Sequence, residues 1–395
     1  MARNLLISSL ALCSLVHGAS FNIPARHESG RHPVGKRSTA TDPAGLDSAL
    51  YWYSSFSVGD SGPLSLLVDT GSSDILIDPG YYKPSTNVKP YITKKYAIEY
   101  EGVTKAGEGF ELINGTALLD NVTVGGLTVK HQALANITAY KFFDLDGAQA
   151  PHRALARDGI IGFGSQNGST FTPQAESWFY NLCAQKSVDE CRFGLAFGTN
   201  RTGQVVLGKF DSALTEGTVV PVKQVPSDGI QYLTTGDVTL DNKIVSKNQT
   251  FVMDVGTNNI QGPIGPSQHI FDLLGYATQL STSNQTGTVN KVVNASFPCA
   301  KPPVLGFSFP AESQLKKGEK ATIFNVSPTV WDTEPVGHGN CTSVLVGTNF
   351  LTNESAPIPT MWLLGAAFFA GHYIDFDIAS STVSYANLKN PATGM

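Results

Sequence analysis

The sequence predicts an all-β protein built as two related lobes, and three observations carry that reading. Short apolar or alternating runs are broken by Gly, Pro, Asn or Asp at the spacing expected of strands and turns. Few stretches keep a helical period. One decapeptide, LLVDTGSSDI at 66–75, is answered by FVMDVGTNNI at 251–260, with 185 residues separating the two Asp. A period of that length means a duplicated lobe, because solenoid repeats recur every ~20–50 residues.

Taken in chain order, residues 1–19 carry an early Arg, an apolar stretch and small residues at the end, the pattern of a secretory signal peptide. The stretch is too short to span a bilayer. Residues 20–37 are basic, lack an apolar pattern and end in Lys36-Arg37; they read as a short pro-segment with a dibasic processing site. Removing 1–37 takes away five Lys/Arg and one Glu, leaving 22 basic against 31 acidic residues and a formal charge of −9. An acidic exported body argues against a nucleic-acid partner and suits work at low pH. No other apolar run approaches membrane length, and the C-terminal YANLKNPATGM is polar, so neither a membrane span nor a lipid anchor is expected.

Strands are expected at YSSFSVG (53–59), LSLLVD (64–69), NVTVGGLTV (121–129), GQVVLG (203–208), GDVTLDN (236–242) and STVSYA (381–386). The best helix is 172–186, with Thr172 as N-cap, Pro173 at the first helical position, and Trp178, Phe179, Leu182 and Cys183 on its apolar face. A second runs over 267–274 and is stopped by Gly275. The lobes are placed at 38–215 and 216–395.

Cys13 lies in the signal peptide, which leaves Cys183, Cys191, Cys299 and Cys341 as an even set for two disulfides. Proximity favours Cys183–Cys191 and Cys299–Cys341, although three connectivities are formally open. Eleven N-x-S/T sequons, at Asn114, 121, 136, 167, 200, 248, 284, 294, 325, 340 and 353, fit a glycoprotein. The eight His are scattered, three of them within 1–37, and no HExxH occurs, so no metal or other cofactor is expected. GFGSQNG at 162–168 has the wrong spacing for a dinucleotide loop.

Two lobes that each offer an Asp-x-Gly-Ser/Thr loop would meet at a cleft. Gly71 and Gly256 let the backbone turn beneath each carboxylate, and Ser72 and Thr257 supply hydroxyls to the outer carboxylate oxygens. Two carboxylates within hydrogen-bonding distance cannot both ionise cheaply, so they share a proton over a range of acidic pH. The ionised one can then take a proton from water while the other donates to a carbonyl oxygen. That is metal-free amide hydrolysis.

From YSSFSVG to STVSYANL the sequence resembles the pepsin-like aspartic proteases, a bilobal and almost wholly β family. The resemblance implies that Asp69 and Asp254 are the catalytic pair, with Thr70, Gly71, Ser72, Gly256 and Thr257 as their support. It also implies that YAIEYEGVTKAGEG (96–109) is the flap, with Tyr100 as the flap tyrosine that closes over substrate. An apolar-apolar-Gly stretch follows each Asp loop, DGIIGFG at 158–164 and MWLLGAAFF at 361–369. Cys299–Cys341 matches a disulfide common in the second lobe. Further implications are extended protein or peptide substrates, inhibition by pepstatin-type peptides, an acidic optimum, action as a monomer, and secretion ahead of a vacuolar or lysosomal-type location.

Three positions depart from the family pattern. Val255 stands where a second Thr would reach across to the opposite loop. Leu76 stands where the family has a Trp, the usual partner of the flap tyrosine, and Asn258 replaces a hydroxyl residue near the substrate backbone. They motivate the rival reading, a catalytically weak or inactive pepsin-like binding or inhibitor glycoprotein. Retention of both Asp, both Gly and both hydroxyl residues argues for the enzyme.

Overall fold

The computed structural model describes residues 25–28, 51–104, 107–144, 149–150, 158–226, 232–285, 288–331, 335–349 and 361–392. Its strands gather, among those residues, into a 14-stranded and an 11-stranded sheet. This is the all-β, bilobal pepsin-like fold. Every run singled out as a strand lies wholly or largely in one: Tyr51–Val58, Pro63–Asp69, Gly107–Val124, Leu127–Asp144, Thr202–Leu207, Leu233–Leu240 and Thr382–Leu388. Alternation is clearest in Tyr51–Val58, where Trp52, Phe56 and Val58 turn into the core.

The sequence repeat becomes a repeat of topology. In the first half, Pro63–Asp69 runs parallel to Gly159–Gly162, which pairs antiparallel with Ile75–Ile77, which runs parallel to Leu127–Asp144. In the second half, Lys243–Met253 runs parallel to Met361–Leu364, which pairs antiparallel with Ile260–Pro263, which runs parallel to Leu345–Thr348. The apolar-apolar-Gly stretches are therefore the strands threaded between the two arms of each Asp loop. Asp69 lies opposite Gly162, and Met253, the residue before Asp254, lies opposite Leu364. Such parallel strands are covered on both faces, which is why Gly159–Gly162 is buried throughout.

The halves are stitched together by strands that change partners. Arg192–Phe197 pairs with His372–Asp377, so the C-terminal strands join the first sheet. Phe193 stacks on Phe376 with ring centroids 4.7 Å apart, and the Tyr232 hydroxyl donates to the Phe163 carbonyl at 2.6 Å. The backbone of Ala25–Glu28, within the sequence assigned to the pro-segment, forms a further strand between Tyr51–Val58 and Thr202–Leu207. The rest of 1–50, including the signal peptide and Lys36-Arg37, lies outside the described residues, as does Asn353.

Both disulfides are present, Cys183–Cys191 and Cys299–Cys341, with Cα separations of 5.3 and 5.0 Å. The helices differ from expectation at their starts. The first covers Trp178–Ala184 with Ser177 as N-cap, because residues 170–173 are engaged elsewhere, Thr170 by Asp74 and the Pro173 carbonyl by Tyr91. The second runs over Ile264–Leu274, one turn earlier than expected, and tolerates Pro266 because first-turn N–H groups have no intrahelical partner. Gly275 ends it in the left-handed conformation at φ 66°. No helix among the described residues is long and apolar enough to cross a membrane.

Candidate active site

Each Asp ends a strand and begins a tight turn whose hydrogen bonds hold its own carboxylate. The Gly71 N–H donates to Asp69 Oδ1 at 2.8 Å, and the Ser72 hydroxyl donates to Asp69 Oδ2. In the second loop the Gly256 N–H donates to Asp254 Oδ1 at 2.9 Å and the Thr257 hydroxyl to Asp254 Oδ2 at 2.8 Å. One local pattern is thus built twice, by the residues the repeat aligned. Behind each loop the threaded strand supplies backbone ties. Phe163 N–H donates to the Asp69 carbonyl at 2.7 Å, Asp254 N–H to the Leu364 carbonyl at 3.1 Å, and Ala366 N–H to the Thr257 carbonyl at 2.7 Å.

The two loops face each other at close quarters. A methyl group added at Gly71 would stand 2.5 Å from Asp254 Cγ, and one added at Gly256 would stand closer still to Asp69 Oδ1. Only a hydrogen fits between each loop and the opposite carboxylate, which gives both glycines a reason beyond turn geometry. The side chains of Asp69 and Asp254 come within hydrogen-bonding reach of each other. Asp69 is 5% exposed, whereas Asp254 keeps part of its surface open. Burial, and then the negative charge of Asp69, push the Asp254 carboxyl far above the ordinary carboxylate range, against the Thr257 and Gly256 donors. That direction is the one expected of two facing carboxylates that cannot both ionise cheaply.

Beneath the carboxylates the Thr70 side chain crosses between the halves. The Thr70 hydroxyl donates to the Met253 carbonyl at 2.8 Å and accepts from the Val255 N–H at 2.9 Å, with Thr70 fully buried. Val255 occupies the mirror position, also fully buried, and its methyls have no bond to return. The support is one-sided, as the substitution implied. Leu76 is buried in an apolar cluster with Tyr53, Tyr91, Tyr96 and Phe171, and Asn258 accepts the Ala367 N–H at its carbonyl, 3.1 Å away. Strands Lys89–Thr104 and Gly107–Val124 form a long hairpin in which the backbone of Tyr100 pairs with Glu111. The side chain of Tyr100 lies outside the described part, so the flap role carried by that residue is not located.

A family model, Eukaryotic aspartyl protease, matches residues 51–388. The chain belongs to that family. Among its curated relatives, "Secreted aspartyl protease 1" of Malassezia globosa is 23% identical over 82% of this chain and 70% of the relative. "Secreted aspartic protease 5" of Candida albicans is 25% identical over 62% of this chain and 61% of its own length, so the chain covers less than two thirds of that relative. "Cathepsin D" of Dictyostelium discoideum is 25% identical over 97% of this chain and 98% of the relative. Proteins named "Probable vacuolar protease A" are also among the matches. Within the family frame, two residues that the sequence reading passed over bear on the Asp loops. Tyr51 lies within electrostatic reach of the pair: its hydroxyl is pushed up to about 12 by burial and then by the charges of Asp254 and Asp69. Asp74, five residues beyond Asp69, is buried and accepts from Tyr96 at 2.9 Å. A Tyr opening the strand before the one that ends in Asp69, and a second Asp just after that loop, were the available signals.

Proposed function

We propose that this chain is a secreted aspartic endopeptidase that hydrolyses peptide bonds in proteins at acidic pH. The observation that supports it most directly is the facing pair of Asp loops, each carboxylate fixed by its own turn and set against the glycine of the opposite loop. In the proposed cycle Asp69, ionised and steadied by Ser72 and the Gly71 N–H, takes a proton from a water held between the carboxylates. Asp254 gives its proton to the scissile carbonyl oxygen as the water oxygen bonds to carbon. Asp69 then gives its proton to the amide nitrogen while Asp254 takes one from a hydroxyl of the tetrahedral diol, the C–N bond breaks, and the amine and carboxylic acid leave the pair as it began. The substrate lies extended under the Lys89–Val124 hairpin, with Tyr100 closing over it and backbone pairing giving affinity without strict sequence demand.

Pepstatin-type peptides are expected to inhibit. Secretion, glycosylation, removal of residues 1–37 at Lys36-Arg37 and action as a monomer complete the reading. Cutting there would break the covalent link between strand Ala25–Glu28 and the body it pairs with. The test is cleavage of an unfolded protein by the processed chain from strong acid to neutrality, with and without pepstatin, beside Asp254→Asn. Activity confined to acid and absent from the Asn variant is expected. A folded, processed chain that is silent at every pH would move the reading to a binding or inhibitor protein.

A further inference from the structure

The hairpin that would cover the cleft has no Trp at position 76 to hold it, and Leu76 offers no donor. A different set of polar groups meets at its base. Asp74 Oδ2 accepts from the Tyr96 hydroxyl at 2.9 Å, from the Thr170 N–H at 2.9 Å and from the Thr170 hydroxyl at 2.5 Å. The Thr170 and Tyr96 oxygens are themselves 2.7 Å apart. Asp74 is 6% exposed and Tyr96 2%, so these contacts are shielded from competing water. Three parts of the chain converge on one carboxylate oxygen: the end of the first Asp loop, the strand entering the hairpin, and the segment before the first helix.

The position of Tyr96 is what gives the cluster leverage. The pairing of Lys89–Thr104 with its partner strand is interrupted between Pro90 and Lys95, then runs unbroken from Lys95↔Thr116 to Thr104↔Gly107. Tyr96 sits at the root of that uninterrupted arm, one pair beyond Lys95↔Thr116. Its ring packs on Phe171 at 4.9 Å, and Tyr91 grips the same segment through Phe171 at 5.2 Å and the Pro173 carbonyl at 2.7 Å. That segment is in turn fixed to the Asp69 loop, where the Ser73 hydroxyl donates to the Ser165 carbonyl at 2.6 Å and Gly164 N–H to the Ser72 carbonyl at 2.8 Å.

We infer that Asp74, Tyr96 and Thr170 are positioning residues that anchor the arm of the hairpin to the first Asp loop, in place of a Trp at position 76, and thereby set how firmly it closes on substrate. The inference rests on the protease reading for its kinetic consequence and on geometry alone for its mechanical one. Two variants test it in the processed full-length chain: Tyr96→Phe, which keeps the ring packing, and Thr170→Val, which keeps shape and the backbone donor. Amide exchange in 97–104 and 107–116 should quicken about tenfold in Tyr96→Phe and several-fold in Thr170→Val, with exchange in the Arg192–Phe197 and His372–Asp377 strands unchanged. With a peptide substrate KM should rise about tenfold, kcat should fall less, and the pH profile set by the carboxylate pair should keep its midpoints. Unaltered exchange in both variants overturns the anchor, as does an unaltered KM in an active enzyme. Should Tyr96→Phe quicken every amide, Thr170→Val alone decides. A chain that never cleaves but shows the selective exchange would retain the anchor and lose the protease.

Discussion

Removing the Thr70 hydroxyl is the sharpest available test of how the two halves are held at the site. Thr70→Val deletes one oxygen that both donates to the Met253 carbonyl and accepts from the Val255 N–H, at 2.8 and 2.9 Å. The shape of the side chain is kept, so no cavity opens; the loss is electrostatic. Two buried backbone groups are left unpaired, each worth about 1–3 kcal/mol, and with some relaxation the expected destabilisation is about 2–5 kcal/mol. Thr70→Ser keeps the hydroxyl and should lose less than ~1 kcal/mol, mostly through one missing methyl. The assay is urea unfolding of the processed chain at fixed acidic pH, followed by both fluorescence and circular dichroism so that stepwise unfolding of the lobes is visible. Activity measured well below the transition should fall as well, because both carboxylates stand on the loops that Thr70 ties. A Val variant within ~1 kcal/mol of wild type would refute the argument, since it would mean the two bonds are exchanged for water or for new partners without net loss.

Val255→Thr offers the missing return bond and should raise stability by up to about 1 kcal/mol; a lowered melting temperature would show that the mirror position has no partner to offer. Gly71→Ala or Gly256→Ala puts a methyl against the opposite carboxylate, so cleavage should drop more than ~100-fold while far-ultraviolet circular dichroism stays native. The disulfides should differ in worth: by loop closure Cys299–Cys341, spanning 42 residues, contributes about 4 kcal/mol, against about 2.5 for Cys183–Cys191, spanning 8. Paired Cys→Ser variants, compared by melting temperature, check the order. Asp375 is fully buried beside Arg192, and burial pushes its carboxyl from 3.8 up to about 6 despite that partner. The folded state therefore binds the proton more tightly than the unfolded one, so this contribution is fully present below 3.8 and is lost as pH rises through 6, roughly 3 kcal/mol in all. Asp375→Asn should flatten the melting temperature over that window. Buried His372, whose Nδ1 lies 2.7 Å from the Phe368 carbonyl, works the other way: its lowered pKa gives stability above 6.5 that is lost in acid.

What could be read from the sequence, and what could not, divides along a physical line. The Asp loops were legible because their chemistry is local: Gly71 beneath Asp69 and Ser72 beside it act within three residues, and the same turn is written again at 254–257. The repeat then carried the fold, since two copies of one loop with a following apolar-apolar-Gly strand leave few other ways to bury both. The Asp74 cluster was not legible in the same way. Its members are 22 and 96 residues apart, and nothing in Asp, Tyr or Thr taken singly separates a shared buried contact from three solvated polar groups. The first helix was misplaced at its start for the same cause. Thr172-Pro173 is a sound local signal for a helix beginning, and it was overridden by contacts from Asp74 and Tyr91, both distant in sequence. Local rules held wherever a residue's partner lay within one turn and failed where the partner arrived through the fold. The departures from the family pattern have the same character. Val255 and Leu76 read as losses when each is weighed at its own position. In three dimensions the first leaves a one-sided tie through Thr70, and the second lies in the apolar cluster that also buries Tyr96, whose hydroxyl reaches Asp74. A substitution that removes a donor at one position can be offset by a donor that no alignment of the loop would count, and the exchange rates of the hairpin arm measure whether it has been.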